Sequence, residues 1–224
     1  MSKRYNEVLK LVEKDKTYSI EEAVRLAKQT STVKFDASVE VHIRLNIDTK
    51  QTDQKIRTQI QLPAGTGKTL KIAAFVSLAK EKEAKAAGAD IVGGEELIKK
   101  IKETGKTDFD MAVAEPAMMK GLAVIAKTLG QRGLMPNPKT GTVTPDIAKA
   151  VKELKSGKVD VRTDDTGVIH QAIGKVSFDD QKLVENFGVL KDAIQRAKPA
   201  SVKKEFISSI SISTSMGPGI RVAK

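Results

Sequence analysis

The stretch LPAGTGKTLKIAAF, from Leu62 to Phe75, holds the residues of this chain most suggestive of chemistry. A glycine-rich turn ending in Gly67-Lys68-Thr69 is how a phosphate-cradling loop closes. There backbone amides wrap the phosphates and the lysine reaches the terminal ones. The full pattern needs a glycine five positions before Gly67, and that position is Leu62, the last inward residue of an alternating strand. The loop is too short for the wrap. The residues after Lys68 read as a strand, so the helix whose N-terminus should face the anion is missing. Glu115, in MAVAEP, precedes a proline and has no partner motif for holding magnesium. Nucleotide hydrolysis is not expected.

Acid–base and nucleophilic chemistry fare no better. His42 and His170 are the two histidines, each in a strand-like segment. Neither has an acid, a serine or a second histidine at a recognisable spacing, so both read as solvated or hydrogen-bonded strand residues. The chain has no cysteine, which removes disulfides, thiol catalysis and cysteine-ligated metals and fits an intracellular setting. No enzyme activity, cofactor or metal is expected; a nucleotide-binding α/β enzyme stays as the rival reading.

With catalysis set aside, charge suggests a partner. In 224 residues, 39 Lys+Arg face 28 Asp+Glu, a formal net charge of +11. Such an excess favours a polyanion, most often nucleic acid, because each neutralised phosphate releases a counterion; a merely basic soluble protein is the alternative. The excess is spread along the chain, so affinity must come from local clusters such as Lys3-Arg4 or Lys127, Arg132 and Lys139. The N-terminus has no apolar leader and no long uncharged apolar run occurs, so neither export by that route nor a membrane span is expected.

Two textures organise the elements. Ser19 and Glu22 form a capping box before a helix with Ala23, Val24, Leu26 and Ala27 on one side. In SVEVHIRLNID, Val39, Val41, Ile43, Leu45 and Ile47 share one face and Ser38, Glu40, His42, Arg44 and Asn46 the other. KIRTQIQL repeats the pattern, with Ile56, Ile60 and Leu62 inward. Such alternation predicts a sheet with one buried and one wet face, usually antiparallel. From Lys71 the runs IAAFVSLA, ADIVGG and DFDMAVAEP are apolar throughout and alternate with helical segments, which predicts a covered parallel βαβ sheet. A helix over MMKGLAVIAKTLG leads into the loop QRGLMPNPKTGTV, and TPDIAKAVKELKSG closes the region.

After Ser156-Gly157 the first texture returns. KVDVRTD and GVIHQAIGKV read as a hairpin around Asp-Asp-Thr-Gly. DDQKLVENFGVLKDAIQRAKP is a long amphipathic helix. In EFISSISISTSMGP the alternation puts Phe206, Ile210, Ile212 and Met216 inside and Ser209, Ser211, Ser213 and Ser215 outside. The expected fold is α/β with two domains. A discontinuous α+β domain, an antiparallel sheet with helices, takes 1–66 plus 156–224, and an inserted βαβ Rossmann-like domain takes 67–155. Gly65 and Gly67 on one crossing, Ser156 and Gly157 on the other, make a double hinge, since glycine admits backbone angles closed to other residues. The outward serines suit sugar hydroxyls and phosphates. Phe35 either packs on a ribose or base or is a core residue at a strand edge, and both readings stay open.

QRGLMPNPKTGTV, with DIVGGEELIKKI upstream and STSMGPGIRV at the end, resembles the bacterial form of the large-subunit ribosomal protein L-one family. The likeness extends over FDASVEVHIRLNID and DDTGVIHQAIGK, essentially the whole chain. It implies a two-domain protein, a monomer when free, on the mobile lateral stalk of the large ribosomal subunit in the cytoplasm. The discontinuous domain would bind 23S rRNA and, as a translational repressor, its own operon mRNA. The inserted domain would accompany deacylated exit-site tRNA. Carried over by motif, the rRNA surface comprises Phe35, Ser38, Lys175, Ser209, Ser215, Met216 and Gly217; Lys34 joins it as a candidate, and Arg132 and Lys139 are the candidates to face tRNA. Gln131 stands where the family usually has proline, and Ser215 where it usually has threonine.

Overall fold

The computed structural model describes residues 3–13, 16–49, 51, 53–199, 201–202 and 205–224; the side chain of Lys139 lies outside the described part. The chain divides into two compact units, Met1–Gly67 with Gly157–Lys224, and Lys68–Ser156. Antiparallel and parallel sheets coexist with helices, a mixed α/β architecture.

In the first unit, helices α1 (Lys3–Leu9) and α2 (Ile20–Gln29) precede strand β1 (Ser38–Leu45). The Ser19 hydroxyl accepts the Glu22 N–H and the Glu22 carboxylate accepts the Ser19 N–H, so the capping box forms as the residue pattern requires. Strand β1 is central in a four-stranded sheet with β7 (Val168–Lys175), β8 (Ile207–Thr214) and β9 (Ile220–Val222), in the order β7-β1-β8-β9. Both neighbours of β1 run antiparallel to it, His42 lying opposite His170 on one side and Ser211 on the other. Val39, Val41, Ile43, Ile210 and Ile212 are fully or almost fully buried. They pack with Leu183, Phe187, Leu190 and Ile194 of helix α8 (Asp180–Arg196), whose three- and four-residue spacing makes one apolar stripe. Glu40, His42, Arg44, Ser209, Ser211 and Ser213 are left on the opposite, open face.

A two-stranded antiparallel sheet, β2 (Arg57–Gln61) with β6 (Lys158–Arg162), joins chain segments from before and after the second unit. The expected hairpin between β6 and β7 does not form as a ladder. The Asp164–Gly167 turn is present, but the two strands meet only at Thr163 and Ile169 before β6 turns to β2 and β7 to β1. Each strand forms a longer ladder elsewhere, five residue pairs for β6 with β2 and seven for β7 with β1, and ladder length outweighs proximity in sequence.

In the second unit, β3 (Ile72–Phe75), β4 (Ile91–Gly93) and β5 (Met111–Ala114) form a parallel sheet in the order β4-β3-β5. Ala73 and Phe75 join one apolar cluster with Ile98, Ile101 and Leu122, while Ile72, Ala74 and Val76 join another with Val151 and Leu154. Both faces are covered, which is why these strands carry no polar alternation. The first cover comes from helix α4 (Glu95–Thr104) and two short helices, α5 (Met119–Leu122) and α6 (Ala126–Gln131); the second from α3 (Glu81–Ala86) and α7 (Ile147–Lys155). The single helix expected over MMKGLAVIAKTLG is broken by a 3-10 turn at Ala123–Ile125, where β-branched Val124 and Ile125 crowd the backbone. Asp146 caps α7 by accepting the Lys149 N–H.

Candidate nucleic-acid interface

The opening glycine-rich stretch is a turn that leads into a strand. Gly65 and Gly67 have φ of +68° and +71°, and no helix follows before β3. Leu62 is fully buried and donates its N–H to the Gly157 carbonyl at 3.1 Å. The turn is held from below by Asn186, fully buried on α8. Its side chain accepts the Ala64 N–H at 3.1 Å and donates to the carbonyls of Gly65 and Ile173 at 2.9 and 2.7 Å. Glu115, at the end of β5, accepts the Ser77 N–H and pairs with Lys80 at 3.2 Å. These contacts, the amide first, draw its pKa below the ordinary carboxylate range. Its role is to tie strand ends together.

One end of the four-stranded sheet gathers most of the residues singled out from the sequence. Ser215 donates its N–H to the Ser38 carbonyl at 3.1 Å, and its Oγ accepts the Ser38 N–H at 3.2 Å. Lys175 reaches across from β7 and donates to Ser38 Oγ at 3.1 Å and to the Asp36 carbonyl at 3.2 Å. The Asp36 carboxylate accepts both the N–H and the hydroxyl of Ser177. Two segments far apart in sequence, one carrying Phe35 and the other Met216, are thereby cross-linked.

Both of those apolar side chains stand in solvent, Phe35 57% exposed and Met216 70% exposed. For Phe35 this removes the reading as a core residue at a strand edge. For Met216 it corrects the alternation, which placed it inside: the strand ends at Thr214 and the chain turns, Met216 taking φ +64°. It is the one non-glycine residue with positive φ among those described, a conformation that costs about 1–2 kcal/mol and is typical of sites under functional constraint. Gly217 follows because nothing larger fits: a Cβ there would lie 2.3 Å from Thr214 Oγ1. Thr214 Oγ1 is itself buried with no hydrogen-bond partner among the described residues. Arg4, from α1, donates to the Met216 carbonyl at 3.4 Å and to Thr32 Oγ1 at 3.3 Å.

The remaining candidates are placed differently. Ser38 is only 9% exposed, because Lys175 covers it and engages its hydroxyl. Ser209 is exposed but stands near the far end of β8, at a bulge opposite Arg44 and Leu45. Lys34 is exposed beside Phe35. In the second unit Arg132 is exposed, and its guanidinium donates to Thr107 Oγ1 at 2.6 Å; Lys139's side chain lies outside the described residues. The loop after α6 is braced by Thr140 and Thr142, whose hydroxyls bond each other and Asn137.

Sequence spacing missed one constellation altogether. On the open sheet face His42 Nδ1 lies 2.7 Å from His170 Nδ1, and His42 Nε2 lies 2.9 Å from Ser213 Oγ. His170 Nε2 lies 3.4 Å from Asp164 Oδ2. The second histidine, the serine and the acid said to be lacking are all present, the first two brought in by the register of β7 and β8 and the acid by the turn before β7. The signal available was period two: His42 and Ser213 each sit on the outward set of their own strand. Asp164 is held to about 2, chiefly by the Val168 N–H, then by the Thr166 hydroxyl and N–H and by His170. His42 is held below its ordinary value by burial first and then by the charge His170 can carry.

Against known proteins, a family model described as "Ribosomal protein L1p/L10e family" matches residues 27–218. The chain is 54% identical to large ribosomal subunit protein uL1 of Thermosipho africanus over 221 residues, 99% of this chain and 95% of that one. It is 54% identical to the protein of that name from Macrococcus caseolyticus, covering 98% of this chain and 95% of the relative. It is 55% identical to that of Mycoplasma capricolum, covering 99% and 98%. A family match across most of the chain and relatives aligned nearly end to end agree, so the chain belongs to the ribosomal protein L1p/L10e family.

Proposed function

We propose that the protein is a structural constituent of the large ribosomal subunit, ribosome-bound in the cytoplasm, and that its discontinuous unit binds 23S rRNA at the lateral stalk. The family is structural and not enzymatic. The Ser213–His42 pair fits that statement: both residues lie within the β1–β8 ladder, Ser213 opposite Glu40 and His42 opposite Ser211. Backbone N–H groups there are spent on strand pairing and cannot converge on an oxyanion.

The observation that carries the reading is the cross-linked edge bearing Phe35 and Met216. An exposed aromatic and an exposed methionine, fixed by Lys175, Ser38 and Ser215, make a platform for a base or ribose beside hydroxyls and a cation. The net charge of +11 supplies the sequence-independent attraction to phosphate. The same surface would take the protein's own operon mRNA where that transcript reproduces the stalk's shape, giving translational repression. In the second unit Arg132 and Lys139 are the proposed contacts to deacylated tRNA in the exit site. The crossings at Gly65 and Gly67, and at Ser156 and Gly157, are the proposed hinge.

The test is binding of the purified chain to a stalk transcript of 23S rRNA and to a random duplex at matched salt, with sedimentation of the chain in large subunits as the cellular counterpart. Affinity for the stalk is expected to fall with salt while keeping a salt-resistant preference over the duplex. Equal affinity for both would overturn the assignment.

A further inference from the structure

The four side chains Asp164, His170, His42 and Ser213 form a continuous hydrogen-bonded line across the open face of the sheet. Its proton positions follow from one fixed end. Asp164 Oδ1 accepts the N–H groups of Thr166 and Val168, and the Thr166 hydroxyl lies 2.9 and 2.8 Å from Oδ1 and Oδ2. A carboxylate so supplied is ionised at neutral pH and can only accept, so His170 donates through Nε2–H. A neutral His170 then has a bare Nδ1. His42 must donate Nδ1–H to it, which leaves His42 Nε2 bare. Ser213 must therefore turn its O–H to His42 and present only lone pairs to the outside. Every tautomer in the line is set by the acid at its far end.

We propose that this relay makes Ser213 an obligate hydrogen-bond acceptor at neutral pH, so that the open face near the Thr214 end of β8 takes a donor group of RNA, a ribose 2′-hydroxyl or a base amino group, and refuses phosphate oxygens. The inference rests on the reading of this unit as the rRNA-binding one. Charge around the line agrees with it. Glu40, directly opposite Ser213, accepts and repels phosphate, while the cations Arg44 and Arg221 stand further along the neighbouring ladders, opposite Ser209 and Ser211. Phosphates belong with those cations and with Lys175, and donor groups belong between them. Protonation reverses the last step. A proton on His42 Nε2 makes that atom a donor to Ser213 Oγ, and the serine O–H swings outward to seek an acceptor. Ser213 is the contact residue; His42, His170 and Asp164 are positioning residues.

Asp164→Asn tests the relay without a proton. The position accepting two backbone N–H groups must keep the amide oxygen, so the new NH2 faces His170 Nε2. His170 is then forced to carry its hydrogen on Nδ1, His42 on Nε2, and Ser213 becomes an outward donor. With a stalk 23S rRNA transcript at pH 7.5 and constant salt, Ser213→Ala is expected to weaken binding about fivefold, the worth of one neutral hydrogen bond. Asp164→Asn should weaken it at least as much, and should add nothing in the Ser213→Ala background. Transcripts with 2′-deoxy substitutions, and others with inosine for guanosine, identify the donor: the loss from Ser213→Ala should disappear with one of them. In the wild type, 15N chemical shifts of the two imidazoles should report Nδ1–H on His42 and Nε2–H on His170. That measurement needs no variant to fold. The opposite tautomers, full affinity in Ser213→Ala, or full affinity in Asp164→Asn would each overturn the proposal. A wild type with no preference for the stalk transcript would instead overturn the rRNA reading itself.

Discussion

Ser38 and Ser215 are joined twice, once through the Ser38 carbonyl and once through the Ser38 N–H, although 177 positions separate them in the chain. A strand ladder normally ends where the last inward residue is paired. Here a side chain continues the ladder by one step and holds open the turn on which Met216 is displayed. The second link runs through the Ser215 hydroxyl, an oxygen that a threonine at this position would also supply.

Ser215→Ala should therefore leave the Ser38 N–H without its acceptor in a buried place. The expected loss is about 1–2 kcal/mol of stability, read by urea unfolding, with weaker stalk binding because the Met216 turn loosens. Ser215→Thr should keep both properties. Equal stability of Ser215→Ala and wild type would mean that the backbone pair alone closes the ladder.

Thr214 and Gly217 should behave as a coupled pair. Replacing the unpartnered Thr214 hydroxyl by a methyl in Thr214→Val is expected to raise stability by about 1 kcal/mol without changing rRNA affinity. Gly217→Ala places its Cβ on Thr214 Oγ1 and should lower both stability and affinity, by about 1–3 kcal/mol in stability. Thr214→Ala in that background should recover part of the stability loss, since the clashing oxygen is gone. Additive effects in thermal unfolding of the double variant would show that the two do not touch.

Asp164 gives a pH signature of known sign. Its folded pKa of about 2 lies below the ordinary 3.8, so its contribution is complete above the unfolded value and disappears as pH falls from 3.8 towards 2. The side chain is 37% exposed; with solvent screening allowed for, the contribution is about 1 kcal/mol. The stability difference between wild type and Asp164→Asn should hold that size at neutral pH and close below about pH 2. A difference that persists at acid pH would assign it to shape and not to charge.

A hinge at the two crossings predicts unequal freedom within one molecule. Cysteines introduced at Lys106 and Lys191, one in each unit, should give a broader single-molecule energy-transfer distribution than cysteines at Lys16 and Lys191, both in the first unit. Equal widths would mean that Gly65, Gly67, Ser156 and Gly157 are ordinary turn residues.

What the sequence made legible was whatever local pattern determines. Period two in β1 and β2, near-continuous apolar runs in β3, β4 and β5, and the Ser19–Glu22 cap all describe residues responding to near neighbours. What it hid was decided by distant partners. Alternation put Met216 inside, but a turn overrides it, and Ser38 is covered by a cross-strand lysine that alternation does not foresee. The β6–β7 hairpin failed because each strand had a longer ladder to form elsewhere. His42 looked solitary because its companions, His170 and Ser213, become neighbours only through the register of β1 with β7 and β8.

The chain leaves the first unit and returns to it at almost the same point. Leu62 bonds to Gly157, and a Cβ on Gly157 would lie 2.7 Å from the Gly65 Cα, with Asn186 fixing the turn beneath. Seen as polymer physics, everything from Lys68 to Ser156 is a side loop whose ends are already together. Bringing the ends of a floppy loop of that length together costs roughly 4 kcal/mol of chain entropy, but a segment that folds with its own ends adjacent presents that closure ready made. The scaffold that holds Phe35 and Met216 is therefore indifferent to what is spliced between Gly67 and Gly157. A linker of a few glycines and serines should close the same gap, and the second unit is free to vary in sequence, or to be exchanged, without the first having to refold around it.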